Sequence, residues 1–123
     1  MAMEEALRTR LAGQVAAPVD WGWNLQGAVV PRVVLTLVSG APSYNADGPS
    51  DIAMARVQID CFAASQGAAI TLARQVEAAI SGYRASPLLG VFLEGAVDMA
   101  PDTSAGEVFA RRMLTAMVHH RIP

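Results

Sequence analysis

The chain has 123 residues and a formal net charge of -2, which fits one domain with its own core and gives no basic footprint for nucleic acid. Hydrophobic residues make up 53% and charged residues only 16%, and lysine is absent. The single cysteine, Cys61, excludes an intrachain disulfide. No uncharged apolar run approaches the roughly 20 residues of a membrane span.

Two explanations of the apolar excess stand at this level. Much of it is alanine, which tolerates exposure. Alternatively, partners cover part of the surface. Met1 to Arg10 carries Glu4 and Glu5 and no apolar segment, so it does not read as a signal peptide. The expected setting is a reducing cytosol, or a particle assembled there.

Met3, Leu7, Leu11 and Val15 recur every fourth residue and predict an amphipathic helix. Glu4 and Glu5 in its first turn suit the helix dipole, and Pro18 stops it. Val19 to Val30 contains Trp21, Gly22, Trp23, Asn24 and Gly27 without a period, and reads as a loop. Pro31 opens a β-branched run, Arg32 to Val38, which predicts a strand ended by Ser39-Gly40-Ala41-Pro42.

Ser43 to Asp51 is dense in turn formers and reads as a long excursion between two strands. Ile52 to Ala63 then alternates. Ala55, Val57, Ile59, Cys61 and Ala63 share one face, and Arg56, Gln58 and Asp60 the other. Ser65 is a candidate N-cap for a helix whose apolar stripe runs Ala69, Leu72, Ala73, Val76, Ala79, Ile80 and Tyr83, with Gly82 at its end. Leu88 to Met99 and Gly106 to His120 predict an antiparallel pair joined by a turn at Ala100 to Ala105.

The expected architecture is α+β. It has the order α-β-β-α-β-β, a mostly antiparallel four-stranded sheet, two helices on one face, and one domain over 1–123.

Catalytic constellations are not evident. Cys61 shares a face with Val57 and Ile59, so it reads as a buried small hydrophobe and not a nucleophile. His119 and His120 are neighbours that face opposite ways on a strand and cannot readily share a metal ion; they read as a frayed, solvated terminus. Asp47 and Asp51 fit turn chemistry, and Asp60 a solvated strand face. No catalytic, cofactor-binding or metal-ligating residue is therefore assigned, and no cofactor is expected. Trp21 and Trp23 either cap the core or anchor an interface. Tyr44, with Asn45 and Asp47 beside it in the long loop, leans toward an interface.

Several segments together resemble the tail completion, or tail terminator, family of long-tailed phages and phage-like particles. They are Pro31 to Leu35 with Val38-Ser39-Gly40, the loop Tyr44 to Ser50, the strand Ala55 to Ala63, the helix containing Ala73 and Val76, and the opening Met3-Glu4-Glu5-Ala6-Leu7. The resemblance implies a non-enzymatic virion protein with a lambda-type terminator fold. It further implies a ring, six-membered, seated on the last ring of the tail tube. That ring would stop tube growth and present the surface that joins the neck, or stopper, of the filled head. DNA would pass through its channel without specific binding, and no membrane is involved. The expected location is the tail-neck junction, in a phage or a gene transfer particle assembled in the host cytoplasm. Two other readings stay open: a neck protein that joins head and tail without terminating the tube, and a small-molecule-binding α+β domain.

Overall fold

The structure, a computed structural model, describes residues 2–22, 30–102 and 109–122. The described elements are α1 (Met3–Gln14), β1 (Val19–Trp21), β2 (Arg32–Asn45), β3 (Gly48–Ala63), α2 (Gln66–Ile80), β4 (Leu88–Asp102) and β5 (Phe109–Arg121). The strands form one five-stranded sheet in the order β1-β2-β3-β5-β4.

The expected four-stranded, mostly antiparallel sheet is thus corrected to a five-stranded mixed one. β1 pairs in parallel with β2 at Val19↔Val33, Asp20↔Val34 and Trp21↔Leu35, inside the segment that the sequence reads as a loop, so the element order becomes α-β-β-β-α-β-β. Three residues cannot display a period, so only the tertiary pairing makes them a strand. The remaining pairs, β2–β3, β3–β5 and β4–β5, are antiparallel.

The long excursion at 43–51 is also corrected. β2 continues to Asn45 and β3 starts at Gly48, so only Ala46 and Asp47 form the turn. The Asn45 side-chain oxygen accepts a hydrogen bond from the Asp47 N–H at 3.0 Å, and Gly48 takes φ +115° without a Cβ to resist it. Turn-forming residues here sit in a ribbon whose side chains mostly face solvent, so burial does not select an apolar pattern. A register shift between Leu37 and Ser39 accommodates Val38 as an extra residue of β2, and one between Pro42 and Tyr44 sets Ser43 against the longer stretch Ser50 to Ile52 of β3.

The predicted alternation of β3 forms the centre of the core. Ala55, Val57, Ile59, Cys61 and Ala63 are all buried. Both helices lie on this face. α1 contributes Met3, Leu7 and Leu11, and α2 contributes Ala69, Leu72, Ala73, Val76, Ala79 and Ile80. Ser65 caps α2 as expected: its Oγ accepts from the Ala68 N–H at 3.2 Å. Gly82, at φ +72°, turns the chain out of α2, and its N–H donates to the Val91 carbonyl at 2.9 Å. The Arg10 Nε–H donates to the Ala79 carbonyl at 2.8 Å while its guanidinium lies over Tyr83, so α1 satisfies one of the orphan carbonyls of α2.

On the helix-free face, the expectation of a solvated Asp60 is corrected: it is 4% exposed. The Arg111 Nε–H donates to it at 3.0 Å and the Gln58 amide at 2.9 Å. Beside it, Val34 and Phe62 make a small second cluster with Val30. Burial of both faces at this end of β3 breaks the one-sided rule from which solvation was inferred.

Leu11 is fully buried while Leu37 is 50% exposed. Leu11→Ala should therefore cost about 2–5 kcal/mol, and Leu37→Ala well under 1 kcal/mol, in chemical denaturation of the free chain. Similar losses at the two positions would mean the core is misplaced.

Candidate interaction surface

The residues singled out in the sequence separate into two groups. Tyr44, Asn45 and Asp47 lie together at the tip of the β2–β3 hairpin. β5 accompanies β3 only as far as Ile52↔Arg121, so Ser43 to Asp51 extend past the sheet as a two-stranded ribbon. Tyr44 is 70% exposed, the highest value among the exposed large hydrophobics of the described residues. An Arg121–Asp51 ion pair at 2.9 Å and the Ile122 N–H donated to the Asp51 carbonyl at 2.7 Å tie the base of the ribbon to the chain's C-terminal end.

Trp21 sits elsewhere. It packs against the main core from β1, and its indole N–H donates to the Glu4 carbonyl at 2.9 Å, holding the first turn of α1. Trp23 lies outside the described residues.

A shallow groove of about 330 Å³ runs along the helix side of the hairpin base, lined by Met3, Leu37, Gly40, Pro42, Ala53 and Ile122 among others. Its walls are almost wholly apolar, which suits packing against another surface more than orienting a polar ligand. The Leu37 exposure belongs to this groove.

The candidate chemical groups are held in structural roles. Cys61 is fully buried, and burial pushes its thiol up to about 12, with the neighbouring Asp60 charge adding to the rise. His119 and His120 are not a frayed end. Both are paired within β5, and His119 stacks edge-on against Phe92 at 5.4 Å between ring centroids. No group of three potential metal ligands occurs among the described residues.

The arginines are mostly neutralised in place. Arg56 holds Glu94 at 2.8 Å and Arg112 holds Asp98 at 2.7 Å, each through two hydrogen bonds. The bonds from Arg56 and Arg112 lower the pKa of Glu94 and Asp98 below the usual carboxylate values. That stabilisation is present at neutral pH and fades as acid titrates the two carboxylates. Arg8 and Arg32 share Asp20 at 3.8 and 3.6 Å.

The family model Tail completion protein gp17 matches residues 2–111. The chain belongs to this family. It is a structural protein of the phage tail, located in the virion tail. A solved chain from "Virion of native gene transfer agent (GTA) particle" superposes with a TM-score of 0.68 at 17% identity, covering 98% of this chain and 95% of that one. At that identity the likeness speaks for the fold. No curated protein matches the chain.

What the sequence missed at this surface is the strand character of the hairpin and the exposed Phe92, Val97 and Met54. Phe92 and Val97 fall within a mostly apolar run interrupted by Gly90 and Gly95, which shows no clean alternation, and only the register with β5 assigns them to the helix-free face.

Because Cys61 is buried with its thiol held neutral, a thiol-reactive dye at pH 8 should label the native tail protein only at its unfolding rate. Stability should be undiminished by this thiol below about pH 9 and fall as the pH climbs toward 12, because the unfolded thiol ionises first. Immediate stoichiometric labelling of native protein would refute the burial.

Proposed function

We propose that this tail protein is the subunit of a ring, six-membered as in the family it resembles, that caps the tail tube. The ring ends tube growth and presents the docking surface for the neck of the filled head. The observation that carries the reading is the family match over residues 2–111. The projecting hairpin with Tyr44 at its tip supports it, because a ribbon without a third strand is marginal alone and gains by packing on a partner. Within the reading, Tyr44, Asn45 and Asp47 reach the adjoining subunit or the tube.

The charge arrangement agrees with a channel that lets DNA pass without gripping it. The chain has no lysine, and Arg8, Arg32, Arg56, Arg111, Arg112 and Arg121 are all held in ion pairs. A DNA-binding stripe needs cations free to replace the counterions of phosphates. No enzymatic activity enters this reading.

The deciding experiment is electron microscopy of particles from cells lacking the gene. Overlong tails that fail to join heads are expected. Tails of normal length lying unattached beside filled heads would favour a neck protein that joins without terminating. Normal infectious particles would defeat both readings.

A shortened hairpin, with Tyr44 to Pro49 replaced by a two-residue Asn-Gly turn, is expected to fold with a near-unchanged melting temperature and to lose tube capping. Retention of full capping by the shortened chain would remove the hairpin from the contact.

A further inference from the structure

Among the described residues the sheet has two open edges. Past Leu35, whose carbonyl accepts the Gly22 N–H at 2.9 Å, no strand among the described residues pairs with the outer edge of β2 from Thr36 to Asn45. Past Val91, whose carbonyl accepts from Gly82, none pairs with the outer edge of β4 from Phe92 onward. Folded proteins usually guard such edges with charges, prolines or bulges; β2 has Pro42 and the bulge at Val38. β2 carries no charged residue between Val33 and Asn45. Between Phe92 and Asp98 of β4, the acids Glu94 and Asp98 are already bound to Arg56 and Arg112.

Exposed apolar side chains gather at the same edges. The seven exposed large hydrophobics among the described residues are Leu37, Val38, Tyr44, Met54, Phe92, Val97 and Ile122, and five of these lie on β2 or β4.

We infer that the β4 edge of one copy of this chain pairs with the β2 edge of the next, continuing one sheet from subunit to subunit. The inference rests on the ring reading above and names its contact. Three observations select this pairing. First, β2–β3, β3–β5 and β5–β4 are each antiparallel, so β4 runs opposite to β2, and a neighbour added edge to edge in the same orientation meets it in an antiparallel ladder. Second, pairing of 36–45 of β2 with 92–98 of β4 buries no unpaired charge, because that part of β2 carries none and Glu94 and Asp98 are matched by Arg56 and Arg112. Third, only a head-to-tail contact uses both edges. A two-fold contact of β2 with β2 would leave Phe92 and Val97 uncovered on the two outer strands.

The side chains also agree. Phe92 and Val97 lie on the helix-free face, opposite Met117 and Met113 of β5. In a continued sheet they come beside the helix-free side of β2, where the small Ala41 pairs with Met54 and leaves it exposed.

The test uses assembled particles. Ser39→Cys and Val97→Cys place thiols on the helix-free side of the two edges, within reach of a short bismaleimide if the edges pair. Particles carrying the double variant should give a ladder of cross-linked multimers on a denaturing gel, ending at the copy number of the ring, and each single variant should give no ladder. In particles of unsubstituted protein, amides 36–41 and 92–97 should exchange about ten-fold or more slowly than in the isolated chain. Several copies per particle with neither ladder nor protection would overturn the edge pairing and leave the ring reading standing. A ladder stopping at two would overturn head-to-tail pairing. One copy per particle would defeat the ring reading, and this inference with it.

Discussion

Everything in this fold is organised around the helix-side face of β3. Five small or branched side chains, Ala55, Val57, Ile59, Cys61 and Ala63, point the same way from the middle of the sheet, and none is more than 2% exposed. A strand so placed demands cover on that face. α1 and α2 provide it side by side, with Leu7, Leu11, Val76 and Ile80 each at 0% exposure against the sheet. Burying a leucine or isoleucine side chain is worth about 1.5–3 kcal/mol, so this single layer dominates the stability of so small a chain. Two ties, Arg10 of α1 to the end of α2 and Trp21 of β1 to the start of α1, orient what that burial holds in place.

The same layer explains where the molecule is open. Two helices of 12 and 15 residues cover only part of a sheet whose strands reach 16 residues. Cover runs out first over the β2–β3 hairpin, and there the apolar groove and the exposed Leu37 begin. On the far face, the cluster of Phe62 and Val34 gives way to a surface of methionine, phenylalanine and ion pairs. An ion pair such as Arg56–Glu94 lets a strand face hold charge without presenting net charge to whatever approaches it. Composition foreshadowed this: at 16% charged residues, most arginines are consumed in neutralising acids on the chain itself.

The legible part of the fold was the part that burial dictates. The four-residue recurrence of α1, the stripe and cap of α2 and the alternation of β3 are each written by contact with one apolar layer, and each is observed. β1 was illegible because parallel pairing with Val33 to Leu35, not its own three residues, makes it a strand. The hairpin was illegible because strands exposed on both faces carry no period, and Ser, Asn, Gly and Pro then look like loop. Asp60 misled in a related way. Alternation predicts which face a residue takes, and it does not predict that Phe62 and Arg111 will bury that face. Of the surface residues proposed for contact, Tyr44, Asn45 and Asp47 were found through turn chemistry, whereas Phe92 and Val97 needed the β4–β5 register to become visible.

Among the described residues the thiol is buried, both histidines are paired within a strand and six arginines are matched by acids. Backbone and shape remain. An open strand edge is a binding site that needs no special side chain, only the absence of guards, and its specificity comes from register and from the side chains flanking the ladder. Such a site is hazardous in a free monomer, because the same edges pair indiscriminately. It is suited to a component that spends its working life inside an assembly, where every edge has a prescribed neighbour. The bulge at Val38 and the three register shifts along β4 fit this compromise. Irregular ladders resist casual pairing with a flat strand and accept a partner of complementary twist. If the β4 and β2 edges of successive copies pair as inferred, the edges left open among the described residues are where neighbours in the tail complete the sheet.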